Sequence, residues 1–530
     1  MKFSLAKSKL PSPLNGFLAV LSAIFLILAF PDFDFWFLAW FALVPLFSAI
    51  EREKKSTIKS FVLGWIFGIV FFFGSCWWLT FAPITYGGVP TVIAYLLFFG
   101  VALVAGFFPA IFGALLSLSL KRFGYYALLS APFLWTATEF LRFWITGNNW
   151  NAIGYSQAFN YLLLNFAGIG GIYFVGFICV IINSCCAVVL ISMTKRNFWF
   201  ALIPQFIVLI SIFYSGVFHR NLNPDLNNAN SSAIIAVQPN VPMSNLKYGE
   251  LEKLRARHVE LAENALQKLN EQPTTDNRQP TTVIFPESPM NFEYESDREF
   301  QSFLKDFAAR NNVSVLFNSA QPNTRGTNLF NSAVMVNQRG EKIAQYDKIH
   351  LVPFGETVPL PGALAEIVPT MVGNFEVGSN YNLFPLGDDI KGGVMICFES
   401  HFPSLSREFV RGGADVLIEM TNDGYLGKTP VLRQHLANAV FRAVETNRPV
   451  LRVTNTGITA YINERGEVLD ALDVYTQDAR VWTISKSDGG QTFYVRYGDW
   501  FAWLCSIASL ALLFWSFRKR ENSRNNSQET

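Results

Sequence analysis

The chain has 530 residues, 51% of them hydrophobic and 15% charged, with a formal net charge of +2. A soluble protein carries about 25% charged residues, so a wholly soluble globule is excluded and part of this chain must sit in lipid. The near-neutral balance, with no basic stripe interleaved with aromatics, excludes nucleic acid as a partner.

In chain order, seven long apolar runs fill the first 216 residues: 14–31, 36–50, 60–82, 90–120, 125–145, 167–193 and 198–216. An eighth lies at 500–517. About 20 apolar residues cross a hydrocarbon layer of about 30 Å as a helix, so each run is read as a membrane span. The second is short and draws on Phe33 and Phe35; the fourth must tilt or emerge. No small-x-small cleavage site follows the first run, and Pro31 and Asp32 come directly after it, so it is read as a retained span. Basic residues gather at Lys2, Lys7 and Lys9, at Arg52, Lys54, Lys55 and Lys59, at Lys121 and Arg122, at Lys195 and Arg196, and at Arg518, Lys519, Arg520 and Arg524. The alternate connections 31–35, 83–89 and 146–166 contain none. By the positive-inside rule both termini are cytoplasmic and the polar middle lies on the outer side.

The expected organisation is a seven-helix membrane domain (1–216), an Asn/Ser-rich linker (217–232), an outer domain (233–496), an eighth span (497–517) and a cytoplasmic tail (518–530). Glu139 and Arg142, one helical turn apart near the outer end of the fifth span, read either as a structural pair or as a headgroup contact. Asn148, Asn149 and Trp150, just beyond, are candidates for the lining of a substrate entrance.

In the outer domain, strand-like and helix-like segments alternate. Strands are expected at 233–238, 282–286, 313–318, 332–336, 342–346, 392–397, 416–421, 450–455, 459–463 and 481–485. Helices are expected at 245–271, 294–311, 402–412 and 429–447. His258 falls in the first helix and reads as a solvent-exposed histidine. Near-continuous apolar strands point to sheets covered by helices, a layered α/β domain.

Three polar residues stand beside strand ends. Cys397, in V-M-I-C-F-E-S, is the only cysteine between 217 and 497. It reads as a free thiol placed to be a nucleophile, with Glu399 two residues on. Glu287 leaves a strand through Pro286 in V-I-F-P-E-S-P. Lys348 sits in Y-D-K-I-H-L-V-P-F-G-E, which also supplies Glu356. A carboxylate in reach takes the proton of a thiol whose ordinary pKa is about 8.5, and a lysine stabilises thiolate and oxyanion. The spacing alone does not show that the three meet. The histidines are scattered, no Cys/His pair has metal-ligand spacing, and neither metal nor cofactor is expected.

The segments F-P-E-S-P, Y-D-K-I-H-L-V-P-F-G-E and M-I-C-F-E-S resemble the Glu-Lys-Cys motifs of the nitrilase (carbon–nitrogen hydrolase) superfamily. Placed after seven spans, such a domain resembles that of the bacterial apolipoprotein N-acyltransferase family, over nearly the whole chain. Further matching segments are V-Q-P-N-V (237–241), T-N-D-G-Y-L-G (421–427), which contains Tyr425, H-L-A-N-A-V-F-R-A-V-E-T-N-R-P (435–449) and W-T-A-T-E-F-L-R (135–142). The resemblance implies an eight-helix bundle with a nitrilase-like αββα sandwich on the periplasmic side of the inner membrane. It also implies Glu287 as general base, Lys348 as oxyanion stabiliser and Cys397 as nucleophile, supported by Glu356, Phe398 and Glu399. Family members often carry Tyr where Phe398 stands and Trp where Tyr248 stands; both changes keep an aromatic ring.

The expected reaction transfers an acyl group from a membrane phospholipid, through a thioester, to a diacylglyceryl-lipoprotein, carried out by a monomer. Substrate contacts are expected from Tyr248, Tyr425, Asn149 and Trp150. Leu360 and Leu364 lie in an apolar Pro/Gly-punctuated segment (353–373) that reads as a lid or as an ordinary packed loop. Two rival readings stay open: a membrane-tethered amidase using water as acceptor, and a receptor or transporter whose outer domain only binds ligand.

Overall fold

The computed structural model describes residues 9–192, 206, 209, 231–244, 248–271, 280–287, 293–323, 328–358, 373–387 and 389–525. The chain divides into two compact units: residues 1–80, 89–222 and 497–530, and residues 81–88 with 223–496.

The first unit is helical. Among the described residues, three helical stretches are long and apolar enough to cross a membrane: Thr57–Ser75, Thr91–Thr146 and Ala167–Ile191. Pro13–Leu28 and Trp500–Ser516 are shorter apolar helices. Thr57–Ser75 and Thr91–Phe123 pack through small residues. A Cβ added to Gly64 would stand 2.1 Å from the Pro109 carbonyl oxygen, and one on Gly68 would stand 2.6 Å from Gly106 Cα. Glycines four apart let two backbones approach closely, where dispersion rather than the hydrophobic effect holds helices together.

The expected second span is not one helix. It forms a 3-10 turn, Trp36–Trp40, and a nine-residue helix, Val44–Arg52, with Pro45 in its first turn. At about 1.5 Å per residue that helix is only about 14 Å long. The break between the two pieces is satisfied from inside the protein: Asn183 accepts from the Leu43 amide (2.8 Å) and donates to the Ala39 carbonyl (2.7 Å). Irregular backbone in lipid persists only with such internal partners. Of the expected seventh span, 198–216, all but residues 206 and 209 lie outside the described residues.

The second unit is a four-layered sandwich. Its strands are β1 (Ser231–Gln238), β2 (Thr281–Ile284), β3 (Ser314–Pro322), β4 (Leu329–Val336), β5 (Lys342–Asp347), β6 (Leu383–Pro385), β7 (Lys391–Ile396), β8 (Val416–Thr421), β9 (Val450–Thr454), β10 (Ala460–Ile462), β11 (Val468–Leu469) and β12 (Asp478–Ser485). They form two six-stranded sheets, ordered β12-β1-β2-β3-β4-β5 and β11-β10-β9-β8-β7-β6. In each, three neighbouring strands run parallel (β1, β2, β3 and β7, β8, β9) and the flanking strands run antiparallel. The helices Tyr248–Glu271 and Arg298–Asn311 cover the first sheet, burying Val259, Leu266, Phe300, Leu304 and Phe307 against Ile235, Val283 and Val315. Each such side chain contributes about 1.5–3 kcal/mol. Pro403–Arg411 and Val431–Thr446 belong with the second sheet, whose central strand β8 is buried at every residue.

Each expected strand has its counterpart. The additional β6 and β11 are three and two residues long, too short to leave a pattern. β1 begins at Ser231, inside the segment assigned to the linker.

His258 is a correction. It is 3% exposed, its Nδ1 lies 2.7 Å from the Leu254 carbonyl oxygen, and its ring meets Phe285 edge-on. One turn after Leu254, it sits on the sheet-facing side of its helix. Burial pulls its pKa down to about 4, so it stays neutral and gives its Nδ1 proton to that carbonyl.

Candidate active site

The chemistry-bearing residues of the second unit lie beyond the carboxyl ends of strands, where α/β sheets commonly hold ligands. β7 ends at Ile396, and Cys397 opens the 3-10 turn Cys397–His401 with φ of 54°. A non-glycine residue in this left-handed region is uncommon, and its backbone strain is held by the surroundings. The cysteine is free, and the residue as a whole is half-buried.

Glu287, just after β2, is near enough to the Cys397 thiol for each to bear on the other's proton affinity. Its Oε1 accepts from Asn331 Nδ2 (3.1 Å) and lies 3.7 Å from Lys348 Nζ; its Oε2 accepts from the Asn422 amide (3.1 Å). Lys348, at the exit of β5, is fully buried. Its ammonium donates to Glu356 Oε1 at 2.8 Å. Glu356 Oε1 also accepts from Asn331 (2.6 Å) and its Oε2 from the Val352 amide (2.8 Å). Asn331 thus donates to both glutamates, and the one ammonium is shared between them.

The electrostatics follow from burial and this charge pattern. Burial raises the pKa of Glu287, and the Glu356 charge adds to the rise, although Lys348 opposes it. Burial, then the Glu287 charge, pushes the Cys397 thiol well up. Burial disfavours the Lys348 ammonium, but Glu356 and then Glu287 outweigh it and raise its pKa. Together these effects disfavour the thiolate, heighten the proton affinity of Glu287 and keep the Lys348 ammonium charged beside it. Such a site can move the thiol proton to Glu287 as the sulfur attacks, and hold an oxyanion near Lys348.

Glu399 joins the two halves of the site. Its Oε1 accepts from the Tyr346 hydroxyl (2.7 Å) and from the amides of Ile349 (2.7 Å) and His350 (3.0 Å), next to Lys348. Its Oε2 accepts from the Ile396 amide (2.8 Å), next to Cys397. Burial lifts it to about 7 despite these donors. Phe398 stacks on His401 and meets Phe402 edge-on.

Tyr425 is brought to the site: burial, then the neighbouring Glu287 charge, raises its pKa. The segment Phe81–Gly88 belongs to this unit. Tyr86 meets Tyr425 edge-on and donates from its hydroxyl to the Gly424 carbonyl (3.2 Å). Phe81 packs on Gly427, where a Cβ would stand 2.3 Å from its ring. Tyr248 opens its helix, with its side chain outside the description; Leu360 and Leu364 lie outside the described residues. Asn149 and Trp150 are buried in the first unit. There the Trp150 carbonyl accepts from Arg142 (3.0 Å) and Glu139 accepts from the Ile153 amide (2.9 Å), so both charged side chains pin this loop.

Sequence reasoning missed Asn331, Asn422 and the buried ionic group behind Cys397 formed by Glu419, Asp423, His435 and Arg452. The available signal was a charge inside each of two apolar strands, V-L-I-E-M-T and V-L-R-V-T; a charge in a core is paired. β8 and β9 place Glu419 directly opposite Arg452.

A family profile described as the apolipoprotein N-acyltransferase N-terminal domain matches residues 22–185, and one described as carbon-nitrogen hydrolase matches residues 236–492. An apolipoprotein N-acyltransferase of Geobacter metallireducens is 30% identical over 513 residues, covering 95% of either chain. That of Thermotoga maritima is 30% identical over 521 residues, covering 96% of this chain and 95% of its own. Among solved structures, a carbon-nitrogen hydrolase from Helicobacter pylori G27 is 17% identical with a TM-score of 0.37, covering 50% of this chain and 92% of its own. The full-length relatives and the paired profiles agree: the chain belongs to the apolipoprotein N-acyltransferase family, acyltransferases with a nitrilase-fold carbon–nitrogen hydrolase domain.

Proposed function

We propose that this chain moves an acyl group from a membrane phospholipid to the α-amine of a lipoprotein's N-terminal diacylglyceryl-cysteine, through a thioester on Cys397. The observation that carries this reading is the approach of Glu287 to the Lys348 ammonium (3.7 Å) beside Cys397, whose thiol the Glu287 charge helps keep protonated. In the first half-reaction the sulfur attacks the ester carbonyl as Glu287 takes its proton. Lys348 stabilises the oxyanion, with Glu356 holding the ammonium in place. The carbon–oxygen bond breaks, Glu287 returns the proton to the leaving oxygen, and a lysophospholipid departs. In the second, the amine attacks the thioester, the amide forms, and the proton released by the amine passes through Glu287 to the sulfur. This is a ping-pong scheme.

Both substrates are lipids, and each methylene drawn into water would cost about 0.8 kcal/mol. The membrane part therefore serves to bring the site to the acyl chains. The proposed topology has eight crossings, the catalytic domain outside the inner membrane and both ends in the cytoplasm. The broken 36–50 run counts as one crossing. Residues 353–373, with Leu360 and Leu364, form the lid that admits an acyl chain, and Tyr425 lines its path. Tyr248 is assigned to substrate passage on the resemblance, and Asn149 and Trp150 on their place just beyond the fifth span.

The test is incubation of the purified protein with labelled phospholipid and an acceptor lipopeptide. Labelled amide is the expected product, lost in Cys397→Ser. Free fatty acid without amide would refute the transfer and point to a hydrolase.

A further inference from the structure

The helix Val431–Thr446 places two cations, His435 and Arg442, on the face toward the nucleophile turn. They are seven residues and so about two helical turns apart. His435 Nε2 lies 3.1 Å from the Cys397 carbonyl oxygen. Arg442 Nη1 donates to the carbonyls of Ser400 (3.2 Å) and His401 (3.4 Å).

The surroundings of His435 fix its protonation. Nδ1 is 2.9 Å from Asp423 Oδ1. Nε2, besides the Cys397 carbonyl, is 3.0 Å from Glu419 Oε1. Both ring nitrogens thus have an acceptor oxygen as nearest neighbour, with the Arg452 guanidinium farther off, 3.4 Å from Nδ1. A neutral imidazole has one bare nitrogen, which would set a lone pair against such an oxygen. Arg452 pairs with the far oxygens of the same two carboxylates, at 2.5 Å and 2.6 Å. Two carboxylates, one guanidinium and one imidazolium sum to zero charge. Loss of the imidazolium proton would leave a bare negative charge in the core behind Cys397.

We propose that His435 is a positioning residue for acyl transfer: its imidazolium, clamped by Asp423 and Glu419, grips the Cys397 carbonyl and holds the strained backbone that aims the thiol. A left-handed non-glycine residue persists only where its neighbours over-determine it, and this grip acts on the strained residue itself. Burial opposes the charge on His435, but Glu419 and Asp423 outweigh burial and Arg452 and lift it to about 9. The inference rests on Cys397 being the nucleophile.

The experiment follows single-turnover acylation of Cys397 by a phosphatidylglycerol, whose headgroup does not titrate in this range, from about pH 6 to 10, read by mass spectrometry. Lys348 stays charged throughout, and ionisation of the thiol would speed the reaction at high pH. A fall in rate above about pH 9 in the wild type is therefore the mark of His435. His435→Gln keeps an N–H for the carbonyl but not the charge. It should lower the rate at pH 7 by about ten-fold or more, lack the alkaline fall, and leave the half-saturating phospholipid concentration unchanged. A wild-type rate that is level or rising through pH 9, or a folded His435→Gln protein with the wild-type rate and profile, overturns the proposal. The wild-type profile decides the matter even if the variant does not fold. If the wild type forms no thioester at any pH, the nucleophile assignment itself fails.

Discussion

Glu399→Gln gives a sharp test of how the site is held together. The carboxylate accepts from three donors at Oε1 and from the Ile396 amide at Oε2. A glutamine offers one acceptor oxygen and one amide nitrogen. With its oxygen toward Tyr346, Ile349 and His350, its NH2 faces the Ile396 N–H, donor against donor. The site loses one charge-assisted bond and leaves a buried amide unmet, about 1.5–3 kcal/mol. Ile396 precedes the nucleophile, and Ile349 follows Lys348, so the loss falls on the geometry linking thiol and ammonium. At 1.4 kcal/mol per decade this corresponds to a fall of about 10- to 150-fold if all of it reaches the transition state. The assay is single-turnover formation of the Cys397 thioester, with folding checked by circular dichroism. The rate should fall while the half-saturating phospholipid concentration stays fixed. A folded Glu399→Gln protein that acylates within two-fold of wild type would show that the brace does not set the geometry.

Other outcomes follow from the same structure. The mechanism needs Glu287 as a carboxylate, and burial raises its pKa above the ordinary 4.5; acylation should be present above that raised value and fall as pH drops through it, so the acid limb should lie above pH 4.5. Glu287→Gln should lose about 10²–10⁴ in rate at all pH values, and an unchanged acid limb in that variant would clear Glu287 of the role. Gly64→Val should lower the melting temperature, because the Cβ would stand 2.1 Å from the Pro109 carbonyl, whereas Gly16→Ala, in open space, should not; equal effects would dismiss the close helix contact. Leu360→Asp with Leu364→Asp should cripple acylation by a long-chain phospholipid, and undiminished thioester formation would refute the lid.

The candidate triad was legible because each member sits at a strand exit in a short motif of its own. F-P-E, Y-D-K and M-I-C-F-E each end an apolar run with the residue that matters. The layered α/β domain was legible for a related reason: strands such as β8 are buried on both faces and read as unbroken apolar runs. What failed to show depends on partners remote in the chain. Nothing local reveals that Glu419 lies opposite Arg452, since that follows from the β8–β9 register. Nor does spacing show that Asn331, on β4, bridges Glu287 and Glu356. His258 was misplaced because a helix with many charges leaves the edge of its buried face ambiguous. The broken second span was read as one helix because hydropathy does not register the turn that Asn183 satisfies.

The most direct measurement is the intact and peptide mass of the protein after exposure to a phospholipid of defined acyl chain, with no acceptor present. The account predicts one added acyl group on the peptide containing Cys397, released by hydroxylamine and transferred to the amine of a diacylglyceryl peptide when it is supplied. An unmodified Cys397 in protein that still makes the amide, or an acyl group carried on another residue, would contradict it.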